Sequence, residues 1–184
     1  MIKKYDIYDK YHNGMRRTEN PDTIIIHGTG GGQNARAFFK WVLGDNFERA
    51  TQYRGGEGFP YLIDVNGDVY ELADPASVWQ YHSGTGGRDK KTIGIELINT
   101  SAGNLSGYTT GQYGELLKLI CDKLLKYFPV TSIVGHGAFQ KSATGKGKVC
   151  PGPKFQWEIL ANELTSRGYK FKTSSEKIYD ITEG

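Results

Sequence analysis

The chain has 184 residues, enough for one domain with a real hydrophobic core and short extensions at its ends. Apolar residues make up 38% and charged residues 23%, an ordinary globular balance, while 25 glycines against 6 prolines forecast many loops. The net charge of +3, with Lys and Arg scattered instead of gathered into a stripe, argues against nucleic acid as a partner and supports only a mild attraction to anionic polymers.

Residues 1–22 are polar, charged and rich in tyrosine, and they read as an N-terminal arm ending at Pro21-Asp22. They contain no apolar run that could form a signal-peptide core, and no stretch of the chain reaches transmembrane length, so no membrane partner is expected. Thr23-Ile24-Ile25-Ile26 is a continuous β-branched run, predicting a strand buried on both faces that opens into His27-Gly28-Thr29-Gly30-Gly31-Gly32. Asn34 can cap a helix carrying Ala35, Phe38, Phe39, Trp41 and Val42 and ended by Gly44.

Phe59–Val65 and Asp68–Leu72 flank Asn66-Gly67, a dipeptide that favours a tight hairpin turn. In the strand Thr92–Ile98 the alternation sets Glu96 opposite to Ile95 and Leu97. Apolar residues between Gln112 and Phe128 recur at helical spacing and place Cys121 on the buried stripe. Thr131–Val134 predicts a short strand leading into Gly135-His136-Gly137, from which a Gly/Lys-rich loop carries the chain to Lys148-Val149-Cys150-Pro151-Gly152. A last helix is expected from about Pro153 to Ser166 with Gly168 as its stop, followed by a loosely held polar tail over 169–184. Strands interleaved with helices, and one hairpin among them, predict an α/β fold: a single domain over 23–168 with a mixed central sheet and helices packed on it.

His27 and His136 both stand at the ends of β-branched runs and both precede glycine, giving rigid positions with room for a close backbone approach. Cys150 follows in a glycine-rich loop from which a thiolate could reach the same point. Two imidazoles and one thiolate would leave one tetrahedral position of Zn2+ open for water, as in a catalytic site. Either histidine taken alone could equally be a strand-end residue bonded to a backbone carbonyl. Cys121 and Cys150 sit in different surroundings, which predicts two reduced thiols and no disulfide framework.

Six segments appear in order: Ile24–Thr29, Tyr61–Tyr70, His82-Ser83-Gly84, Thr92–Leu97, Val134-Gly135-His136 and Lys148–Pro153. Together they resemble the zinc amidase family that includes phage lysozyme-type amidases, bacterial muropeptide amidases and the peptidoglycan recognition proteins. The resemblance spans about residues 23–160. It implies an N-acetylmuramoyl-L-alanine amidase, with His27, His136 and Cys150 as zinc ligands, Glu96 as general base and Lys148 as the basic residue beside the reacting carbonyl. It also implies that His82 lies near the substrate groove. The family tyrosine at the start of the hairpin strand falls on Phe59, which has no hydroxyl, or, with the register moved by two, on Tyr61. The expected partner is peptidoglycan, and the expected state is a monomer. The expected setting is a phage endolysin that waits in the host cytoplasm and acts on the wall after release. A recognition module that only binds peptidoglycan and a cytoplasmic muropeptide-recycling amidase are the alternatives.

Overall fold

In the computed structural model, which describes residues 2–4, 15–38, 58–145 and 149–184, the β-branched run near the start becomes the middle of a sheet. Strand β3 (Thr23–Gly28) lies between β7 (Thr92–Leu97) and β8 (Ser132–Gly135), parallel to both, and Ile24, Ile25 and Ile26 are fully buried. Outward from β7 come β4 (Tyr61–Ile63), parallel to it, then β5 (Val69–Glu71), antiparallel to β4. β1 (Ile2–Lys4) closes that edge, parallel to β5. Beyond β8 lie β10 (Lys177–Thr182) and β9 (Lys170–Ser174), both antiparallel to their neighbours, so the eight strands run β1-β5-β4-β7-β3-β8-β10-β9. A separate two-stranded sheet joins β2 (Met15–Arg16) to β6 (Val78–Trp79). This is the mixed sheet with packed helices expected of the sequence.

One face of the sheet carries the main core. Ile24, Ile26, Tyr61, Ile63, Ile93, Ile95, Leu97, Ile133 and Ile178 pack there against Leu116, Ile120, Cys121, Leu124, Leu160 and Leu164. Those partners come from helix α2 (Thr110–Lys118), its π-helical continuation Leu119–Leu124 and α3 (Leu125–Tyr127), and from α5 (Trp157–Ser166). A reciprocal capping box starts α2: the Thr109 side chain accepts from the Gln112 amide and the Gln112 side chain accepts from the Thr109 amide. The opposite face carries α4 (His136–Thr144) over β3 and β8, and a smaller apolar cluster of Ala35, Phe38, Phe59, Leu62, Leu72 and Ile98. Helix α1 is described over 35–38; the Asn34 carboxamide accepts from the Ala37 amide, the expected cap, and the rest of that predicted helix lies outside the described residues.

Four local expectations differ from the structure. The Asn66-Gly67 hairpin closes through a three-residue loop, because Ile63 pairs with Val69 and the Asp64 amide bonds to the Asp68 carbonyl. Gly67 alone takes the positive φ, +87°, after a turn in which its own amide bonds to the Asp64 carbonyl. The first part of the expected loop is instead a nine-residue helix, α4 (His136–Thr144), stopped by Gly145 at φ +75°; residues 146–148 lie outside the described residues. Helix α5 starts at Trp157, not near Pro153. Residues 170–182, expected as part of a loose polar tail, form the β9–β10 hairpin, with Ile178 and Ile181 in the core, and pair with β8.

The N-terminal arm is tied down where it is described. Arg17 reaches three backbone carbonyls, those of Val78 (3.3 Å), Thr92 (2.8 Å) and Lys90. Burial lowers its guanidinium to about 10 despite the attraction of Asp74. Among the described residues, no helix is long and apolar enough to cross a membrane.

Candidate functional site

The C-terminal ends of β3, β7 and β8 converge on the face opposite the main core. In the parallel pairing of β3 with β7, His27 stands beside Glu96, so the two side chains share that face, while Ile26 and Ile95 share the other. β8 ends at Gly135, and His136 is the first residue of α4, a rigid position at a strand-to-helix junction. Cys150 is brought alongside by its own loop. The ligand atoms of His27, His136 and Cys150 all lie within 4.8 Å of one another, and all three residues are buried.

The hydrogen bonds around the imidazoles decide which nitrogen faces inward. His136 Nε2 lies 3.1 Å from the Ser83 carbonyl, which can only accept, so Nε2 carries the proton and Nδ1 keeps its lone pair. His27 points its Nδ1 at the His136 Nδ1, 3.0 Å away, and turns its Nε2 towards His82. Cys150 Sγ accepts from the Gly28 amide at 3.3 Å and stands 3.7 Å from the Gly28 carbonyl.

This donor set fits a zinc ion. Two nitrogens bound at about 2.0–2.1 Å to one tetrahedral centre stand roughly 3.3 Å apart, close to the separation observed, and a thiolate completes a borderline-soft set with one corner left over. The residues that could hold a metal are therefore His27, His136 and Cys150.

Glu96 sits next to them. Its Oε1 is 3.8 Å from His27 Nδ1 with the side chain 14% exposed, and its buried Oε2 has no hydrogen-bond partner among the described residues. Desolvation raises its carboxyl to about 8. In its ionised form a carboxyl held this way is a stronger base than a solvated one.

The remaining expected site residues divide. His82 is enclosed: its side chain is 3% exposed, buried behind His27 with Nδ1 2.9 Å from His27 Nε2, and burial lowers its imidazole to about 3. Tyr61 pairs in register with Ile95 and faces the main core, where the Lys123 ammonium stands 5.0 Å from its ring centre, so it does not share a face with Glu96. Phe59 is buried against Phe38 in the smaller cluster, on the Glu96 side of the sheet. Lys148 lies outside the described residues.

Sequence reasoning missed the residues that brace the site. Asn104, nearly buried and at φ +60°, accepts from the Gly30 amide (2.7 Å) and donates to the carbonyls of Gly28 (3.3 Å) and Val149 (3.4 Å), joining the His27 loop to the Cys150 loop. The Tyr108 hydroxyl donates to the Pro151 carbonyl at 2.6 Å, beside the cis Cys150-Pro151 bond. Gly94 had a legible signal, an isolated glycine inside a strand pattern. A Cβ there would lie 2.9–3.1 Å from three atoms of the His82 ring, so the bare backbone is the surface on which His82 rests.

A pocket of about 250 Å³, lined by Thr29, Gly30, Gly31, Gly32, Ala37 and Phe38, opens on the loop that follows His27. A larger recess of about 930 Å³ lies between α4 and the β8–β10 edge, lined among others by Ser132, Phe139, Lys141 and Lys177. None of His27, His136, Cys150 or Glu96 lines it, so its size says nothing about the chemistry.

Known proteins agree with this architecture. The family model described as N-acetylmuramoyl-L-alanine amidase matches residues 17–153. A Rickettsia conorii protein provisionally given that amidase name is 26% identical over 128 residues, covering 66% of this chain and 47% of the relative. The chain thus spans about half the length of that curated relative. Among solved structures, the endolysin N-acetylmuramoyl-L-alanine amidase LysCS of Clostridium intestinale superposes with a TM-score of 0.61 at 19% identity, over 90% of this chain and 95% of that one. Human PGRP-IBETAC, solved in complex with glycosamyl muramyl pentapeptide, gives 0.62 at 19% identity over 86% and 93%. At such identities these two structures establish the fold.

Proposed function

The chain belongs to the N-acetylmuramoyl-L-alanine amidase family, and from that premise we propose that it is a zinc-dependent hydrolase of the amide bond between N-acetylmuramic acid and L-alanine in peptidoglycan. The observation that carries the proposal is the meeting of His27, His136 and Cys150 within 4.8 Å, with Glu96 beside His27 on the same face. Zinc held by those three side chains would supply Lewis acidity, polarising the scissile carbonyl and making water acidic near neutral pH.

The protein's own groups do the rest. Glu96 takes a proton from the attacking water and passes it to the departing L-alanine nitrogen, which leaves as an amine. Lys148, two residues before Cys150, is assigned to the developing oxyanion by family resemblance, a role worth about 2.7–4 kcal/mol when other oxyanion donors are removed.

We further place the protein among wall-lytic endolysins, supported by the likeness to the endolysin amidase of Clostridium intestinale and by a mild positive charge suited to anionic wall polymers. The test sets purified cell walls beside soluble muropeptides. Release of free stem peptides with new L-alanine amino termini, faster on walls than on soluble fragments, is the expected result. Binding to walls with no amine release would overturn hydrolysis, and activity confined to soluble fragments would overturn the lytic role in favour of recycling.

A further inference from the structure

His82 was expected at the substrate and lies instead in the interior, between His27 and a run of buried polar groups. Its Nε2 is 2.8 Å from the Thr92 hydroxyl, and that hydroxyl is 3.0 Å from the Asp89 carbonyl. A hydroxyl has one proton to give, and a carbonyl can only accept. Thr92 therefore donates to Asp89 and accepts from His82, which puts the His82 proton on Nε2 and leaves a lone pair on Nδ1. That lone pair faces His27 Nε2 at 2.9 Å, so His27 is the donor there, and its own lone pair is left on Nδ1.

We propose that His82 is a positioning residue: the buried series Asp89 carbonyl, Thr92 hydroxyl, His82 imidazole fixes the proton of His27 on Nε2 and turns the His27 Nδ1 lone pair to the metal position. The inference rests on the metal site proposed above, and it concerns only what aims one of that site's ligands.

Three further features suit this role. Gly94 leaves no Cβ under the His82 ring, so the ring lies flat against β7 and comes within reach of His27. The Asp89 carboxylate is fully buried and held by the Ser83 hydroxyl and the Ser83 amide, which anchors the 3-10 helix Gly86–Lys91 whose end presents the Asp89 carbonyl. Arg17 ties the same segment from outside through the carbonyls of Lys90 and Thr92. His136 needs no such series, because its outer nitrogen meets the Ser83 carbonyl directly. Two ligands thus receive the same tautomer by different means.

The experiment uses the full chain. In metal-free protein near neutral pH, two-bond 1H–15N correlation spectra should show His82 protonated on Nε2; protonation on Nδ1 would overturn the direction of the series. Zinc affinity is then measured by competition with a chromophoric chelator. His82→Phe should bind zinc about 10–100-fold more weakly, the usual cost of removing a partner behind a metal-bound histidine. Thr92→Val, which keeps shape and loses the hydroxyl, should weaken binding by a smaller factor, and Thr92→Ser should restore it. Melting of the metal-free variants separates aim from mere packing: lowered melting temperatures with wild-type zinc affinity in both His82→Phe and Thr92→Val would overturn the proposal. Failure of the wild-type protein itself to bind zinc would instead overturn the metal site, and the inference with it.

Discussion

The two faces of β3 and β7 serve opposite needs. On one face, Ile24, Ile26, Ile93, Ile95 and Leu97 meet the helices in a packed apolar layer. On the other, in register along the same strands, stand Gly94, Glu96 and His27, with His82, Thr92 and Asp89 behind them. The period of two in an extended chain lets adjacent residues serve opposite ends: one layer holds the strands still, and the next uses that stillness to hold the side chains of the candidate site. The polar face is costly, because it buries a carboxyl and several imidazoles, and the apolar face offsets that cost.

Four changes sharpen this contrast, taken from the largest expected effect to the smallest. Glu96→Gln should lower turnover on peptidoglycan by about 10²–10⁴-fold, the range of a lost general base, while zinc content by elemental analysis stays at the wild-type level. The same change should stabilise the metal-free fold at alkaline pH. Glu96 titrates at 4.5 ordinarily and at about 8 in the fold, so across that window the unfolded chain sheds a proton the folded one keeps. Stability therefore falls as pH rises from about 4.5 to about 8 in the wild type, and melting curves of the variant should lose that component.

Ile95→Ala, one residue away on the other face, should cost about 2–5 kcal/mol in denaturant unfolding while the activity per folded molecule changes little. Gly94→Ala adds a methyl that meets the His82 ring; zinc affinity should drop about tenfold, with the ring displaced from His27. Tyr61→Phe should leave kcat/KM within about twofold of wild type, since the hydroxyl it removes belongs to the core face. A large loss in that variant would contradict the placement of Tyr61.

The contrast also explains what was legible in the sequence. Ile24–Ile26, the Thr92–Leu97 alternation and the helical stripe ending at Phe128 are periodic signals set by burial, and each became the element it predicted. His27, His136 and Cys150 were visible because strand ends and glycines mark them, and the fold brings them together. Local chemistry was less readable. Helix α4 opens with His-Gly and has no side-chain cap, so only Gly145 at its end announced it. Asn104 acts through contacts with segments far away in the chain, and Thr92 and Asp89 act through a folded loop that brings His82 back onto the strand; a single sequence carries no trace of such partners. The β9–β10 hairpin was hidden because its residues are mostly exposed and polar, with Ile178 and Ile181 buried and Phe171 half-buried against the core.

That hairpin gives residues 170–182 a hold on the candidate metal site. β10 is the outer neighbour of β8, and the Glu176 carbonyl accepts from the amide of Gly135, the residue directly before His136. A protein ending at Gly168 would keep every side chain named in the mechanism yet strip the rail on which one imidazole is mounted.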